Sequence, residues 1–327
     1  MRILLDTNVW RYLVDSKDCS ELLCRTKCAG LQLAVCPSTV IETLMIGDTK
    51  LRNSIIELQT RPCWYRLLPD AYLESQDFKR ELLKHHPYFG LKEPNFVEFK
   101  RLLRNWEKKN NGWWQKARLE TQNTADFYRN LNHENLSEAR SQAEELRSEV
   151  FASRIPMIKG SISYLKGSFQ IADGTRLERE AWRVYGEHVW ANLLKSETPA
   201  RQWLNCDLDL YDLMHGQIEL YRKFWFDDAD ASAMPRAWLR CAFYSLQADR
   251  RVTAGTPVDQ TIATHLVDVD LFVSADKAMI EMVNRCRAEA PFQMAEGFHI
   301  GAGEVGVRQL YDYFTKFHEI SASNQCK

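Results

Sequence analysis

Four carboxylates stand at places in this chain where an acid does more than solvate a surface: Asp6, Glu42, Asp259 and Asp276. Asp6 ends the apolar run Ile3-Leu4-Leu5 and is followed by Thr7-Asn8, so a carboxylate, a hydroxyl and an amide meet where a buried strand surfaces. Asp276 follows a second such run, Leu271-Phe272-Val273-Ser274. Glu42 sits among Ile41, Leu44 and Met45, and Asp259 follows the turn-forming Gly255-Thr256-Pro257 near a helix start. Carboxylates that converge repel one another and raise each other's pKa unless a cation neutralises them. Hard oxygen donors select Mg²⁺ or Mn²⁺. Such a cluster can polarise a phosphoryl oxygen and activate water for in-line attack on a phosphodiester. Taken singly, Asp-Thr-Asn is also good turn and helix-cap chemistry, and Glu42 could be a surface glutamate.

Bringing these residues together requires a parallel sheet. Strand, helix, strand and helix alternate from Ile3 to Met45, with Leu31–Cys36 as the second strand, Gly30 stopping the helix before it and Pro37-Ser38-Thr39 opening the helix after it. The alternation resumes after about residue 250, with a helix over Gln260–Val267, the strand Leu271–Ser274, a helix over Lys277–Glu289, weaker strands near Phe292 and Phe298, and a closing helix over Glu304–Phe317. The expected class is α/β: a parallel sheet flanked by helices, made by residues 1–60 and 251–327. Residues 61–250 form a large, mostly α-helical insertion, with charged stretches at Glu93–Lys109 and Ser137–Ser153. Gly160–Ser168 is its most loop-like piece. In an open parallel sheet the carboxyl edge is where ligands bind, and all four acids belong near that edge.

In these motifs the chain resembles the PIN-domain nucleases. Leu4-Leu5-Asp6-Thr7-Asn8 matches their opening strand, Ser38-Thr39-Val40-Ile41-Glu42-Thr43-Leu44 their glutamate-bearing helix, and Asp259-Gln260-Thr261-Ile262-Ala263 with Phe272-Val273-Ser274-Ala275-Asp276 their last motif. The resemblance implies a PIN-like sheet in which Asp6, Glu42, Asp259 and Asp276 hold Mg²⁺ or Mn²⁺ and Thr7, Asn8 and Ser274 support them. A shift of register would put Asp270 in place of one ligand. The resemblance also implies endonucleolytic hydrolysis of single-stranded RNA, leaving 5′-phosphate and 3′-hydroxyl ends, in a free-standing RNase or in a toxin or defence effector with a protein inhibitor or antitoxin. It covers the two ends of the chain only, so the insertion's role is not inherited. A structure-specific DNase and a catalytically silent PIN scaffold that mediates protein assembly are the alternatives.

Between Lys79 and Arg118 eleven basic residues face four acidic ones, interleaved with aromatic rings. Arg101, Arg104, Lys108 and Lys109 suit a phosphate track, and Trp113 or Trp114 a base-stacking platform for a single strand. Phe96, Phe99, Leu102, Leu103 and Trp106 recur at helical spacing and are expected in the core. The acids of residues 205–230 read as a solvated face or a contact for the basic segment. His85, His86, His265 and His299 form no recognisable triad.

A formal net charge of −1 supplies no global attraction to a polyanion, so a nucleic-acid partner must be met by this local patch. Nine cysteines without a C-x-x-C pair do not read as a disulfide framework, and no apolar run approaches the ~20 residues of a membrane span. The expectation is a cytoplasmic protein that does not engage membranes and can form a homo-oligomer.

Overall fold

The computed structural model describes residues 1–17, 19–108, 110–130, 161–171, 173–247 and 256–325. Lys109, the 137–153 stretch, Gly160 and Gly255 lie outside the described residues.

The chain opens with β1 (Arg2–Leu5), α1 (Thr7–Asp15), α2 (Cys19–Cys28), β2 (Gln32–Val35), α3 (Pro37–Leu44), α4 (Thr49–Gln59) and β3 (Tyr65–Arg66). Gly30, at φ +63°, makes the left-handed turn that ends α2 and returns the chain to the sheet. The insertion follows with α5 (Asp70–His85), α6 (Phe96–Glu107), α7 (Trp113–Leu119) and α8 (residues 121–130). Next come the hairpin β4 (Lys166–Gln170) and β5 (Arg176–Glu180), then α9 (Ala181–Lys195), α10 (Pro199–Leu204), α11 (Ile218–Lys223) and α12 (Pro235–Gln247). The last segment holds α13 (Thr256–Ala263), β6 (Leu271–Ser274), α14 (Lys277–Glu289), β7 (Glu296–His299) and α15 (Gly303–Gln325).

Five strands form one parallel sheet in the order β3-β2-β1-β6-β7. The fold is therefore α/β, with the parallel sheet flanked by helices and a large, mostly helical insertion, as expected from the sequence. The outermost strand β3 comes from just past residue 60, and the loop-like Gly167-Ser168 lies in the β4–β5 hairpin. A Cβ at Gly167 would come within 2.9 Å of Val184, so glycine is what lets the hairpin lie against α9.

Strand pleating assigns alternate residues to two cores. Leu4, Ala34 and Phe272 face one, which is filled from the insertion by Phe78, Trp190, Phe224, Trp225 and Phe243 and from α14 by Met279 and Val283. Ile3, Leu5, Leu33, Val35, Leu271 and Val273 face the other, packed by Trp10, Trp64, Trp114, Leu310 and Phe314. Both faces of the central strands are covered, which explains their continuous apolar runs. The insertion thus supplies most of one layer and, through Trp64 and Trp114, part of the other. Arg236 of α12 fastens it, donating to Asp77 of α5 at 2.7 Å and to Asp268, just before β6, at 2.5 Å.

α6 is covered less deeply than its helical spacing suggests, and α7 more deeply. α6 has no fully buried residue: Phe96 and Val97 are 62% and 82% exposed, while Phe99, Leu102, Leu103 and Trp106 are half-buried, Phe99 against Tyr72 and Trp203 and Trp106 against Trp113. Trp113 and Trp114 of α7 are the buried pair.

Candidate active site

All strands of the sheet run the same way, so their carboxyl ends share one edge. β1 passes directly into Asp6, which caps α1 by accepting from the Thr7 backbone N–H at 2.7 Å. β2 passes through Cys36 into α3, placing Glu42 on that helix. β6 ends at Ser274, and Asp276 caps α14 by accepting from the N–H groups of Ala278 and Met279 at 2.8 and 3.1 Å. α13 packs against α3 and carries Asp259. Asp6, Glu42, Asp259 and Asp276 line one pocket of about 270 Å³, together with Thr7, Asn8, Arg11, Tyr12, Ile46 and Met279.

The supporting groups expected from the sequence are engaged with these acids. Ser274 Oγ donates to Asp6 Oδ2 at 2.5 Å, and Asn8 Nδ2 donates to the same oxygen at 2.7 Å. Asn8 Oδ1 accepts from the Ala275 N–H at 3.1 Å, and Ser274 Oγ accepts from the Asp276 N–H at 2.9 Å, so Asn8 and Ser274 knit the ends of β1 and β6 together. Thr7 Oγ1 donates to Glu42 Oε2 at 2.5 Å. Asp259 accepts from Gln247 Nε2 at 3.3 Å.

Burial raises the pKa of Asp6; hydrogen bonds from Ser274, Thr7 and Asn8 oppose the shift, and the charge of Asp276 adds to it. Glu42 is pushed up to about 7, first by burial and then by the charge of Asp6, with the Thr7 hydroxyl pulling it down. Arg11 is the one basic side chain on the pocket lining among the described residues. The donor chemistry, carboxylate oxygens under mutual repulsion, suits a hard divalent cation. Among the described residues no three His, Cys, Asp or Glu side chains are gathered tightly enough to hold a metal ion as they stand.

Asp270 belongs elsewhere. Its carboxylate accepts from the Arg2 backbone N–H at 2.6 Å, at the amino end of β1, so it stands on the opposite edge of the sheet from Asp6.

In the insertion, Arg101 and Arg104 are exposed on α6 and Lys108 is half-buried at its end, while Lys109 lies outside the described residues. Arg101 is paired with Glu98 at 2.5 Å. Trp113 and Trp114 are corrected from a stacking platform to core: they are 8% and 1% exposed, Trp113 donates to the Tyr128 hydroxyl at 3.0 Å, and Arg66 covers the Trp114 ring. Adjacent helix positions diverge by about 100°, which suggested that one ring was exposed. Here α8 and β3 close over both directions. Part of the acidic segment does meet the basic one, through Lys79–Asp207 at 2.8 Å. His86 pairs with Asp228 at 2.9 Å, and His265 is fully buried.

Arg11 and Tyr12 were not singled out from the sequence. They stand three and four residues after Asn8, and so share its face of α1, whose other face buries Val9, Trp10 and Leu13. That helical spacing was the available signal. Among known proteins, no family model, no curated protein and no solved structure matches this chain.

Proposed function

We propose that the chain is a divalent-metal-dependent endoribonuclease of the PIN type, acting in the cytoplasm on single-stranded RNA and leaving 5′-phosphate and 3′-hydroxyl ends. The observation that carries this reading is the meeting of Asp6, Glu42, Asp259 and Asp276, from four separate segments of the chain, on one pocket at the carboxyl edge of a parallel sheet. Those four acids would hold Mg²⁺ or Mn²⁺. A divalent ion bound there would supply positive charge to the phosphoryl oxygens and lower the pKa of an attacking water.

The chain's own residues prepare the site. Ser274 and Asn8 fix one oxygen of Asp6, and Thr7 fixes one oxygen of Glu42, so the two carboxylates are oriented before substrate arrives. On the insertion, Arg101, Arg104, Lys108 and Lys109 would follow the phosphates of the strand. Binding should then weaken as salt rises, and the double substitution Lys108→Glu and Lys109→Glu should reduce the slope. A protein inhibitor, as in a toxin–antitoxin or phage-defence pair, and a second copy of the chain are compatible partners.

End-labelled single-stranded RNA, single-stranded DNA and forked DNA, incubated side by side with Mn²⁺, test the reading. Preferential internal cleavage of the RNA supports it, and cleavage confined to forked DNA would make the protein a structure-specific DNase. A second reading, a silent scaffold, is favoured by one observation: no three acidic side chains among the described residues stand ready around one ion. Calorimetric titration with Mn²⁺ separates the two, because a scaffold gives no saturable binding that Asp6→Asn removes.

A further inference from the structure

We infer that Arg11 and Tyr12 form the nucleotide-holding side of the pocket, Arg11 gripping a phosphate next to the scissile bond and Tyr12 stacking on the adjoining base. This inference rests on the nuclease reading of the same pocket. Arg11, Tyr12, Ile46 and Met279 are the lining residues that are neither carboxylates nor their supports. The pocket therefore has an acidic part and a part that combines one cation, one aromatic ring and two apolar side chains. An acidic pocket repels a polyanionic strand, and a guanidinium within it offers a paired set of donors to phosphate oxygens.

The helix fixes this placement. Val9, Trp10 and Leu13 are buried in the core, which pins the rotation of α1 and turns Asn8, Arg11 and Tyr12 to the pocket. Asn8 holds Asp6, and Arg11 follows one turn later, so the cation is set by the same short helix that orients the first carboxylate. Its ion pair with Asp15 is 3.7 Å long and more than half exposed on both sides. Such a pair is weak and gives way readily to a phosphate. Tyr12 is half-buried against the core while its position on the lining leaves it facing the pocket, which suits a ring that must stay rigid when a base stacks on it.

Cleavage of a 5′-labelled single-stranded RNA with Mn²⁺ tests the assignment in Arg11→Gln, Arg11→Lys, Tyr12→Leu and the parent, each checked by thermal melting. Arg11→Gln should raise KM roughly tenfold with a smaller change in kcat, and Arg11→Lys should recover part of the loss. Tyr12→Leu should alter which base next to the cut is preferred. If the parent cleaves and all three variants match its KM and base preference, the inference is wrong and the nuclease reading stands. If the parent neither binds Mn²⁺ nor cleaves RNA, the nuclease reading fails and takes the inference with it.

Discussion

The hydroxyl of Thr7 donates a 2.5 Å hydrogen bond to Oε2 of Glu42, joining the first residue of α1 to the middle of α3 across 35 positions of sequence. The bond favours the charged carboxylate against the burial and the Asp6 charge that raise its pKa. Thr7→Val keeps the shape and removes the donor, so Glu42 should titrate higher than in the parent. Mn²⁺ affinity measured by calorimetry against pH should lose its acidic limb earlier in the variant, and Thr7→Ser should restore it. Superimposable pH profiles for Thr7→Val and the parent would show that the bond does not tune Glu42.

Stability of the metal-free protein carries the same signature. Glu42 titrates at about 7 in the fold, above the ordinary value of 4.5. Its protonated form is favoured by folding, so the stabilisation is complete below the ordinary carboxylate range and is lost as pH rises to about 7. On this account urea midpoints fall between pH 4.5 and 7, and the raised carboxyl of Asp6 adds to the fall. Glu42→Gln should flatten that segment of the profile, and an equally steep fall in Glu42→Gln would assign it to other groups.

The difference in depth between the start of α6 and α7 predicts different costs for similar substitutions. Trp114→Ala empties a fully buried site and should destabilise the protein by about 3–5 kcal/mol in chemical denaturation. Phe96→Ala and Val97→Ala, on exposed positions, should each change stability by less than about 0.5 kcal/mol. The opposite ranking would return α6 to the core.

Arg236 joins the insertion to the sheet segment by bridging Asp77 and Asp268. Asp77→Ala leaves Arg236 with Asp268 alone and removes one of its two buried hydrogen bonds, so it should destabilise the protein by about 1–3 kcal/mol in chemical denaturation. Arg236→Met, which removes the cation but leaves two facing carboxylates, should also destabilise and should be worse at pH 8 than at pH 5.

The sheet was legible because its strands are short apolar runs that end at acids or helix openers, and β1, β2 and β6 fall where Ile3–Leu5, Leu31–Cys36 and Leu271–Ser274 place them. The edge strand β3 was not, since two residues carry no periodicity. The four acids could be proposed from their positions at strand and helix ends, whereas Gln247 beside Asp259 depends on how α12 meets α13 and leaves no local trace. Phe96 misled, and Phe99, Leu102, Leu103 and Trp106 are only half-buried, because helical spacing reports an amphipathic face without saying how deeply a neighbour covers it. Trp113-Trp114 misled for the complementary reason: two layers close around α7, which a single helix pattern cannot reveal.

Asp6→Asn tests the central claim most directly. Asn keeps a side-chain oxygen to cap α1 and changes the charge at the junction of β1, α1 and β6. With labelled single-stranded RNA and Mn²⁺, the account predicts that the variant melts as a folded protein and cleaves at least about a hundredfold more slowly than the parent. Cleavage by folded Asp6→Asn at the parental rate would contradict it.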